Sequence, residues 1–449
     1  MTLTLVIIVV ATALAFDFTN GFHDSANAMA TSVATGAFKP RIAVLVAAIL
    51  NFVGASMATE VAKTVSGGIV DDRLVTVQAV FAGLVGAILW NLFTWLLGLP
   101  SSSSHAMFGG LIGAVIMSSG LAGIHAGVIV SKILLPALVA PLVAGVASGL
   151  ATRAAYRITD HTAHHAARTF RMGQRISASM VALAHGTSDG QKTMGLITLV
   201  LVASGYQQSE AGGTRPYEWV IVAAGLCIAL GTYSGGWRIM RTMGKGLVEV
   251  ESPQGFACES AATVAILASA HLGFALSTTH VCSGAVLGSG IGRRTTVNWK
   301  IAGRMLAAWL ITLPASGLVG ALAALVTKQG TWGFFLALAA LIIAALAIFR
   351  ISQHHKISHS NVNDAAEVAV LPGRRLRGAK RRVGIVAMPK VPGAGRSVEH
   401  VTIPDAAPSG APTAAETIAG TRPAVLTVSP ERHARRRRAG KTKTKAVAA

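Results

Sequence analysis

The segment Gly21-Phe22-His23-Asp24-Ser25-Ala26-Asn27 has a degenerate copy 165 residues later, Gly186-Thr187-Ser188-Asp189-Gly190-Gln191-Lys192. In both copies a glycine precedes an aspartate by three residues, and both copies follow an apolar stretch. Two other blocks recur in the same order: a pair of glycines (Gly54 and Gly67, then Gly231 and Gly244) and a hydroxyl-rich segment ending in histidine (Ser102–His105, then Ser277–His280). Recurrence of ordered blocks at nearly constant spacing indicates an internal duplication.

The apolar stretches between these blocks are long enough to cross a membrane. The chain has 449 residues, of which 52% are hydrophobic and 13% are charged. Soluble domains carry about 25% charged residues, and about 20 consecutive apolar residues span a bilayer core. Runs of this kind recur from the first residue to about residue 350. The composition therefore excludes a soluble globular protein and predicts an all-α polytopic membrane protein.

The duplication divides this membrane protein into parts. We expect a first inverted repeat over residues 1–150, a basic cytoplasmic linker over 151–176, a second inverted repeat with a final helix over 177–350, and a disordered basic cytoplasmic tail over 351–449. Each repeat is expected to contain a helix broken at its aspartate motif and a membrane hairpin bent at its hydroxyl-histidine motif. Counting hairpin arms, we predict ten to twelve membrane segments.

Positive charge gives the orientation. Short loops rich in Lys and Arg stay on the cytoplasmic side of a membrane. The segment 153–175 holds five arginines, and the tail beyond residue 350 holds eighteen of the chain's 39 Lys and Arg residues. These segments predict an extracellular N-terminus and a cytoplasmic C-terminus. The two repeats then cross the membrane in opposite senses, as in inverted-repeat transporters.

The two aspartates are the first candidates for chemistry. Asp24 and Asp189 each lie about 14 residues from a predicted cytoplasmic turn, near Lys39 and Arg175 respectively. A helix rises about 1.5 Å per residue, which puts both acids near the bilayer midplane. A carboxylate there needs protein, water or a cation beside it. Two interpretations stay open: a site for a coupling cation or proton, and a structural pair with a buried cation such as Lys192.

Hydroxyl groups form the second candidate set. Ser and Thr are good helix N-caps, and backbone amides at a helix N-terminus attract anions. The clusters therefore either cap two hairpin arms or line an anion site, and their presence in both halves favours the anion site. The residues concerned are Ser102, Ser103, Ser104, Ser277, Thr278 and Thr279.

Other chemistries find little support. His161, His164 and His165 lie in a polar segment without further ligands, so no metal site and no bound cofactor are expected. No nucleophile elbow of the G-x-S-x-G type is present, which argues against an enzyme. The basic tail lacks interleaved aromatic residues, so nucleic acid is not an expected partner. A channel is the remaining rival class, and midplane acids in a duplicated scaffold favour alternating access instead.

At these motifs the sequence resembles the inorganic phosphate transporter (PiT) family, over roughly residues 10–350. The resemblance implies an inverted-repeat fold in the plasma membrane, contact with membrane lipid, symport of inorganic phosphate with a cation, and a homodimer as a compatible assembly. Carried onto matching positions, it assigns Asp24, Asn27 and Asp189 to cation and phosphate coordination. It assigns the six hydroxyl residues to the anion site, and it adds Glu259 to the coupling residues.

The coupling ion is predicted from two departures. His23 and Ser188 precede the two aspartates where sodium-coupled members of the family carry asparagine. The first motif is similar to that of the bacterial proton-coupled low-affinity branch, in which phosphate also travels with a divalent metal. His23 is either part of a proton relay or a structural hydrogen bonder. Protons are the expected coupling ion; the alternatives are a sodium-coupled symporter and a transporter of another tetrahedral oxyanion such as sulfate.

Overall fold

A computed structural model describes residues 3–71, 74–160, 163–210, 212–364 and 368. The chain divides into two compact units, Met1–Gly378 and Ala379–Ala449, and every described residue belongs to the first. The predicted disordered tail from residue 369 onward lies outside the described residues.

The described residues of the first half form seven α-helices. They are α1 (Leu3–Ala34), α2 (Pro40–Ala55), α3 (Glu60–Gly67), α4 (Val77–Leu97), α5 (Ser103–Ser119), α6 (Ala126–Ile129) and α7 (Leu135–Asp160). A π-helical turn, Val130–Leu134, joins the last two into one long helix.

The second half repeats this order and adds one helix. It consists of α8 (Ala163–Ala203), α9 (Glu218–Ser234), α10 (Trp237–Arg241), α11 (Ser252–His271), α12 (Thr278–Arg293), α13 (Trp299–Thr327) and the additional α14 (Thr331–Gln353). A π-helical turn, Thr242–Gly246, extends α10.

Five of these helical stretches are long and apolar enough to span a membrane, and two bent pairs, α2 with α3 and α9 with α10, raise the number to seven. Four more helices, α5, α8, α11 and α12, pack among them. Within the described ranges this gives eleven segments, in agreement with the ten to twelve predicted. The protein is an all-α polytopic membrane protein.

The contacts between α1 and α8 show that the two repeats run in opposite senses. Near the middle of α1, Asp17 accepts a hydrogen bond from Thr193, which lies late in α8. Toward the end of α1, Thr31 shares the carboxylate of Glu259 with Ser177, which lies early in α8. As residue numbers rise along one helix they fall along the other. The equivalent first helices of the two repeats are therefore antiparallel.

The helix breaks lie one element later than predicted. Both aspartate motifs are in continuous helices, α1 and α8. The bends occur between α2 and α3, by 69°, and between α9 and α10, by 57°. Gly21 and Gly186 serve close packing instead of helix interruption. A Cβ on Gly21 would lie 2.3 Å from the carbonyl oxygen of Ile228, and one on Gly186 would lie 2.2 Å from that of Asn51.

This packing predicts a stability loss in Gly21→Ala. The added methyl group would meet backbone atoms of α9, which cannot move aside as a flexible side chain can. Overpacking of this kind costs about 1–3 kcal/mol, so we expect a lower midpoint in thermal unfolding of the detergent-solubilised protein. Gly303→Ala is the matched control, because a Cβ there meets nothing within 4 Å. A midpoint for Gly21→Ala equal to that of wild type would contradict the packing argument.

The predicted linker and tail are more ordered than expected. Residues 151–160 form the end of α7 and residues 163–176 form the start of α8, while 161–162 and the side chains of 159–167 lie outside the description. The start of the predicted disordered tail also packs on the protein. Arg238 donates to the carbonyl oxygens of Ser352 and His355 at 2.8 Å each, and Val362 is buried. The Arg238 guanidinium group on α10 thus binds backbone carbonyls in a segment that composition alone predicted to be disordered.

Candidate functional site

The candidate site lies where α1 and α8 pass each other and where the N-terminal ends of α5 and α12 approach them. Each of the four helices contributes buried polar side chains, although the surroundings are apolar. The duplication explains this convergence: α1 and α8 carry the two aspartate motifs, and α5 and α12 begin at the two hydroxyl-histidine motifs. Equivalent pieces of both repeats therefore meet at one place.

Asp24 is held by groups from two helices, α1 and α12. Its Oδ1 lies 2.8 Å from His23 Nδ1 and accepts a hydrogen bond from Thr279 Oγ1 at 3.3 Å. Asn27 Nδ2 in turn donates to Thr279 Oγ1 at 3.0 Å. All four side chains are at least nine-tenths buried. The first aspartate motif is thus connected directly to the second hydroxyl motif.

Asp189 has a buried cation beside it. Lys192 Nζ lies 2.5 Å from Asp189 Oδ1, and it also donates to Ser104 Oγ at 2.6 Å and to the Leu276 carbonyl at 2.9 Å. Thr278 Oγ1 donates to Asp189 Oδ2 at 3.2 Å. The pairing with Lys192, one of the two interpretations left open by the sequence, is present. It does not exclude the other, because Asp189 also lies close to Asp24.

His185 lies between the two aspartates. Its Nε2 is 3.3 Å from Asp189 Oδ2 and 3.9 Å from Asp24 Oδ2, while its Nδ1 is 3.1 Å from Asn51 Oδ1. One potential ligand atom from each of Asp24, His185 and Asp189 falls within 4.8 Å of the others. Two carboxylates and an imidazole at this spacing can share protons, and they can bind a divalent cation.

The hydroxyl residues divide into two roles. Four are directed at the charged groups: Ser103 lies 3.4 Å from His23 Nδ1, and Ser104, Thr278 and Thr279 make the contacts given above. The remaining two are N-caps, since Ser102 and Ser277 accept the backbone N–H of His105 and His280. Capping and anion binding were alternatives for the whole set, and the side-chain capping hydrogen bonds belong to Ser102 and Ser277 alone among the six.

His23 connects the first aspartate to a further hydroxyl pair. Its Nε2 lies 3.3 Å from Thr94 Oγ1 and 3.4 Å from Ser101 Oγ, and those two hydroxyls are 2.7 Å apart. Both imidazole nitrogens therefore have polar neighbours. Its counterpart in the second repeat, Ser188, is buried and its hydroxyl has no hydrogen-bond partner within the described part of the chain.

Glu259 lies apart from the two aspartates. Its carboxylate accepts hydrogen bonds from Thr31 at 2.6 Å, Gln174 at 3.2 Å and Ser177 at 2.5 Å. Thr31 comes seven residues after Asp24, a displacement of about 10 Å along a helix. The structure therefore places Glu259 in a second polar cluster, toward the C-terminal end of α1.

Sequence reasoning missed three contributors to this region: His185 as a site residue, Lys192 as a bridge to Ser104, and the buried acid Asp17. Spacing offered a signal for the first two. His185 is four residues before Asp189 and Lys192 is three after it, so all three share one face of α8. Asp17 is two helical turns before Asp24 on α1, which also places both on one face.

Comparison with known proteins identifies the fold and the family. The model of the phosphate transporter family matches residues 20–168 and 157–320. The chain belongs to this family. A relative from Mycobacterium bovis, named "Probable low-affinity inorganic phosphate transporter", is 53% identical over 365 residues, which cover 80% of this chain and 87% of the relative. Relatives of the same name from Rhizobium meliloti and Bacillus subtilis are 41% and 40% identical, covering 70% and 72% of this chain and 93% and 96% of the relatives.

A solved structure shares the fold. It is titled "The sodium-dependent phosphate transporter", superposes with a TM-score of 0.65, and covers 73% of this chain and 100% of its own. At 23% identity it supports the architecture alone. Family membership establishes a transporter and not an enzyme, with inorganic phosphate as the substrate of the family. Together with the apolar helices it makes the chain a multi-pass plasma membrane protein.

Proposed function

We propose that the protein is a secondary active symporter that imports inorganic phosphate together with protons, through a site shared by its two repeats. Asp24, His185 and Asp189 hold the coupling cation. Asn27, Ser103, Ser104, Thr278 and Thr279 contact the anion, with Lys192 beside them. The observation that carries this proposal is the charge of the buried cluster.

Two carboxylates and one ammonium group give the cluster a net charge of −1 when both imidazoles are neutral. Phosphate adds further negative charge in the same buried space. Uncompensated buried charge costs several kcal/mol, so the anion binds favourably only when cations enter with it. Protonation of the histidines or aspartates, or entry of a metal ion with the phosphate, supplies that compensation. Coupling to cations then follows from the electrostatics of the site.

Protons suit the hydrogen bonding of this cluster. Asp24 contacts His23 directly, and His185 lies between Asp24 and Asp189, so groups that can bind a proton follow one another from His23 to Asp189. Imidazole is the side chain that exchanges protons most readily near neutral pH. The triad of Asp24, His185 and Asp189 also offers the oxygen and nitrogen donors that a divalent metal ion takes. Phosphate transported as a metal complex is therefore part of the proposal, with the metal as cargo.

The proposed orientation of the protein in the membrane follows from the distribution of basic residues. Basic segments around residues 153–175, 238–245 and 293–300 belong on the cytoplasmic side by the positive-inside rule. The N-terminal end of α1 then faces outward, and the end of α14 faces the cytoplasm. Alternating access would expose the shared site first to one side and then to the other, as in other inverted-repeat transporters.

Uptake of radiolabelled phosphate into proteoliposomes tests the function and its coupling. We expect accumulation under an inward proton gradient, none above background under a sodium gradient alone, and a stimulation by magnesium. The reason is that protons or a metal ion must neutralise the buried cluster. Unlabelled sulfate at the same concentration as phosphate should leave uptake unchanged.

Each alternative has its own outcome in this assay. If accumulation requires sodium, then sodium and not the proton is the coupling ion. Equal competition by sulfate would widen the substrate to tetrahedral oxyanions in general. If neither gradient raises the internal phosphate concentration above the external one, the protein is a channel. A protein-free liposome control fixes the background for all four measurements.

A further inference from the structure

A second buried acid on α1, Asp17, lies outside the cluster described above. Asp17 is fully buried, and among the described residues it forms no salt bridge. Thr193 Oγ1 donates to its Oδ1 at 2.8 Å, whereas its Oδ2 has no hydrogen-bond partner in the described part of the protein. A carboxylate inside a membrane span is costly without a counter-charge. Its presence requires an explanation that packing does not supply.

Asp17 lies on the outer side of Asp24 in the proposed orientation. Asp17 precedes Asp24 by seven residues on α1, and Thr193 follows Asp189 by four residues on α8. Because these helices are antiparallel, both displacements go toward the N-terminal end of α1. The acid therefore lies about 10 Å from Asp24, on the outer side in the proposed orientation. It still interacts electrostatically with Asp189 and His185.

Asn20 adds a second unsatisfied oxygen between the two acids. It is one helical turn from Asp17 and about one turn from Asp24, and it is almost completely buried. Its amide interacts with the Asp17 carboxyl group, yet its Oδ1 has no hydrogen-bond partner among the described residues. An amide oxygen accepts hydrogen bonds only. Asp17 Oδ2 and Asn20 Oδ1 are therefore two buried acceptors, each without a hydrogen-bond partner among the described residues.

The second repeat shows that the fold itself does not need this acid. At the offset of 165 residues that relates Asp24 to Asp189, Asp17 corresponds to Ala182 and Thr193 corresponds to Ala28. Both alanines are buried within one apolar cluster. The equivalent position in the second repeat is thus apolar, and the pair of Asp17 and Thr193 is not repeated there. The buried acid on the cytoplasmic side, Glu259, comes from α11 and has hydrogen-bond donors at both carboxylate oxygens. A one-sided feature in a duplicated scaffold suits a step that happens at one face of the membrane.

We propose that Asp17, together with Asn20, is an outer proton-binding site that is loaded from the extracellular side before the central cluster. This inference rests on the proposed proton-coupled import. In the step, the Asp17 carboxylate gains one proton from the external water and becomes neutral, and it returns to the anion when that proton passes to a basic group of the central cluster. Charge and protons balance without any other reactant.

The number of oxygens argues against a calcium or magnesium site at Asp17. Calcium and magnesium take about six or more oxygen ligands, whereas this position offers two unpartnered oxygens and one hydroxyl already bonded to Asp17. A proton needs one carboxylate oxygen and one acceptor. The ionisable groups that act on Asp17 are His185 and Asp189 on α8 and Cys227 on α9, and α4 contributes none.

The test separates coupling from phosphate binding in the full-length protein. We reconstitute wild type, Asp17→Asn and Asp17→Glu and measure two rates with radiolabelled phosphate. The first is exchange against internal phosphate at equal pH on both sides. The second is accumulation driven by an acidic exterior. For Asp17→Asn we expect exchange within about twofold of wild type and accumulation lowered at least about tenfold, because the amide cannot carry a proton into the span. Asp17→Glu keeps a carboxyl group and is expected to restore accumulation.

Thr12→Val is the matched control. Thr12 is buried on the same helix and bonds only to its own turn, through the Ile8 carbonyl at 2.8 Å, so both rates should stay at the wild-type level. Accumulation by Asp17→Asn equal to wild type overturns the inference. So does loss of exchange in both Asp17→Asn and Asp17→Glu, since the residue would then belong to the fold or to phosphate binding. Absence of phosphate exchange in wild type itself would instead reject the proposed function.

Discussion

Asp24→Asn is expected to abolish concentrative phosphate uptake while leaving expression and solubility unchanged. The substitution keeps the shape of the side chain but removes the charge that His23, Thr279 and His185 surround. The amide can still accept a hydrogen bond from Thr279, so the local structure has little reason to change. It cannot bind a proton or a cation as the carboxylate does, and we expect uptake to fall by about 100-fold or more.

The measurement is gradient-driven uptake in proteoliposomes that contain equal amounts of folded protein, checked by size-exclusion profile. Ser32→Ala is the matched control, because Ser32 is buried on the same helix and donates to the Met29 carbonyl of its own turn. Asp189→Asn should lose uptake as Asp24→Asn does. Undiminished uptake by both aspartate variants would show that the coupling site lies elsewhere.

Lys192→Gln is expected to have the largest effect on stability. The ammonium group is buried and contacts Asp189, Ser104 and the Leu276 carbonyl. Removing it leaves Asp189 as a buried charge without its closest partner, and breaking such a pair from one side costs about 3–5 kcal/mol. We expect a clear decrease in the thermal unfolding midpoint of the solubilised protein, accompanied by loss of uptake.

A double variant separates the cost of an unpaired buried charge from the loss of the Lys192 contacts. In Asp189→Asn with Lys192→Gln both charges are gone, so the unfolding midpoint should recover toward that of wild type, while uptake stays lost because the aspartate is absent. Lys63→Gln serves as the surface comparison, since the exposed pair of Lys63 and Glu60 is worth about 0–1 kcal/mol. A Lys192→Gln protein as stable as wild type would mean that Asp189 does not depend on this lysine.

The sequence was a good guide where function and fold follow from linear pattern. Apolar runs predicted the membrane helices, because the bilayer demands a minimum apolar length. The repeated blocks predicted two equivalent halves, and the basic segments predicted opposite orientations. The family resemblance rested on the same motifs and is confirmed by the match to the phosphate transporter family.

The sequence was a poorer guide at glycines and at the start of the tail. Gly21 and Gly186 were interpreted as helix breakers, but a glycine serves equally where two helices cross closely, and only the position of the neighbouring backbone distinguishes these cases. Residues 351–364 were predicted to be disordered from their polarity. They are ordered through Arg238, which lies more than a hundred positions away in the chain.

The duplicated segment at Gly21–Asn27 and its copy determined, by themselves, that two buried acids occupy equivalent places in two repeats. That conclusion needs only periodicity and spacing along the chain. The tertiary structure alone decided which groups accompany those acids: the antiparallel contact of α1 and α8 puts His185 between Asp24 and Asp189, brings Thr279 to the opposite repeat's aspartate, and leaves Asp17 beside Thr193. Contacts across 161 to 255 positions depend on how helices pack in three dimensions, and no local pattern encodes them.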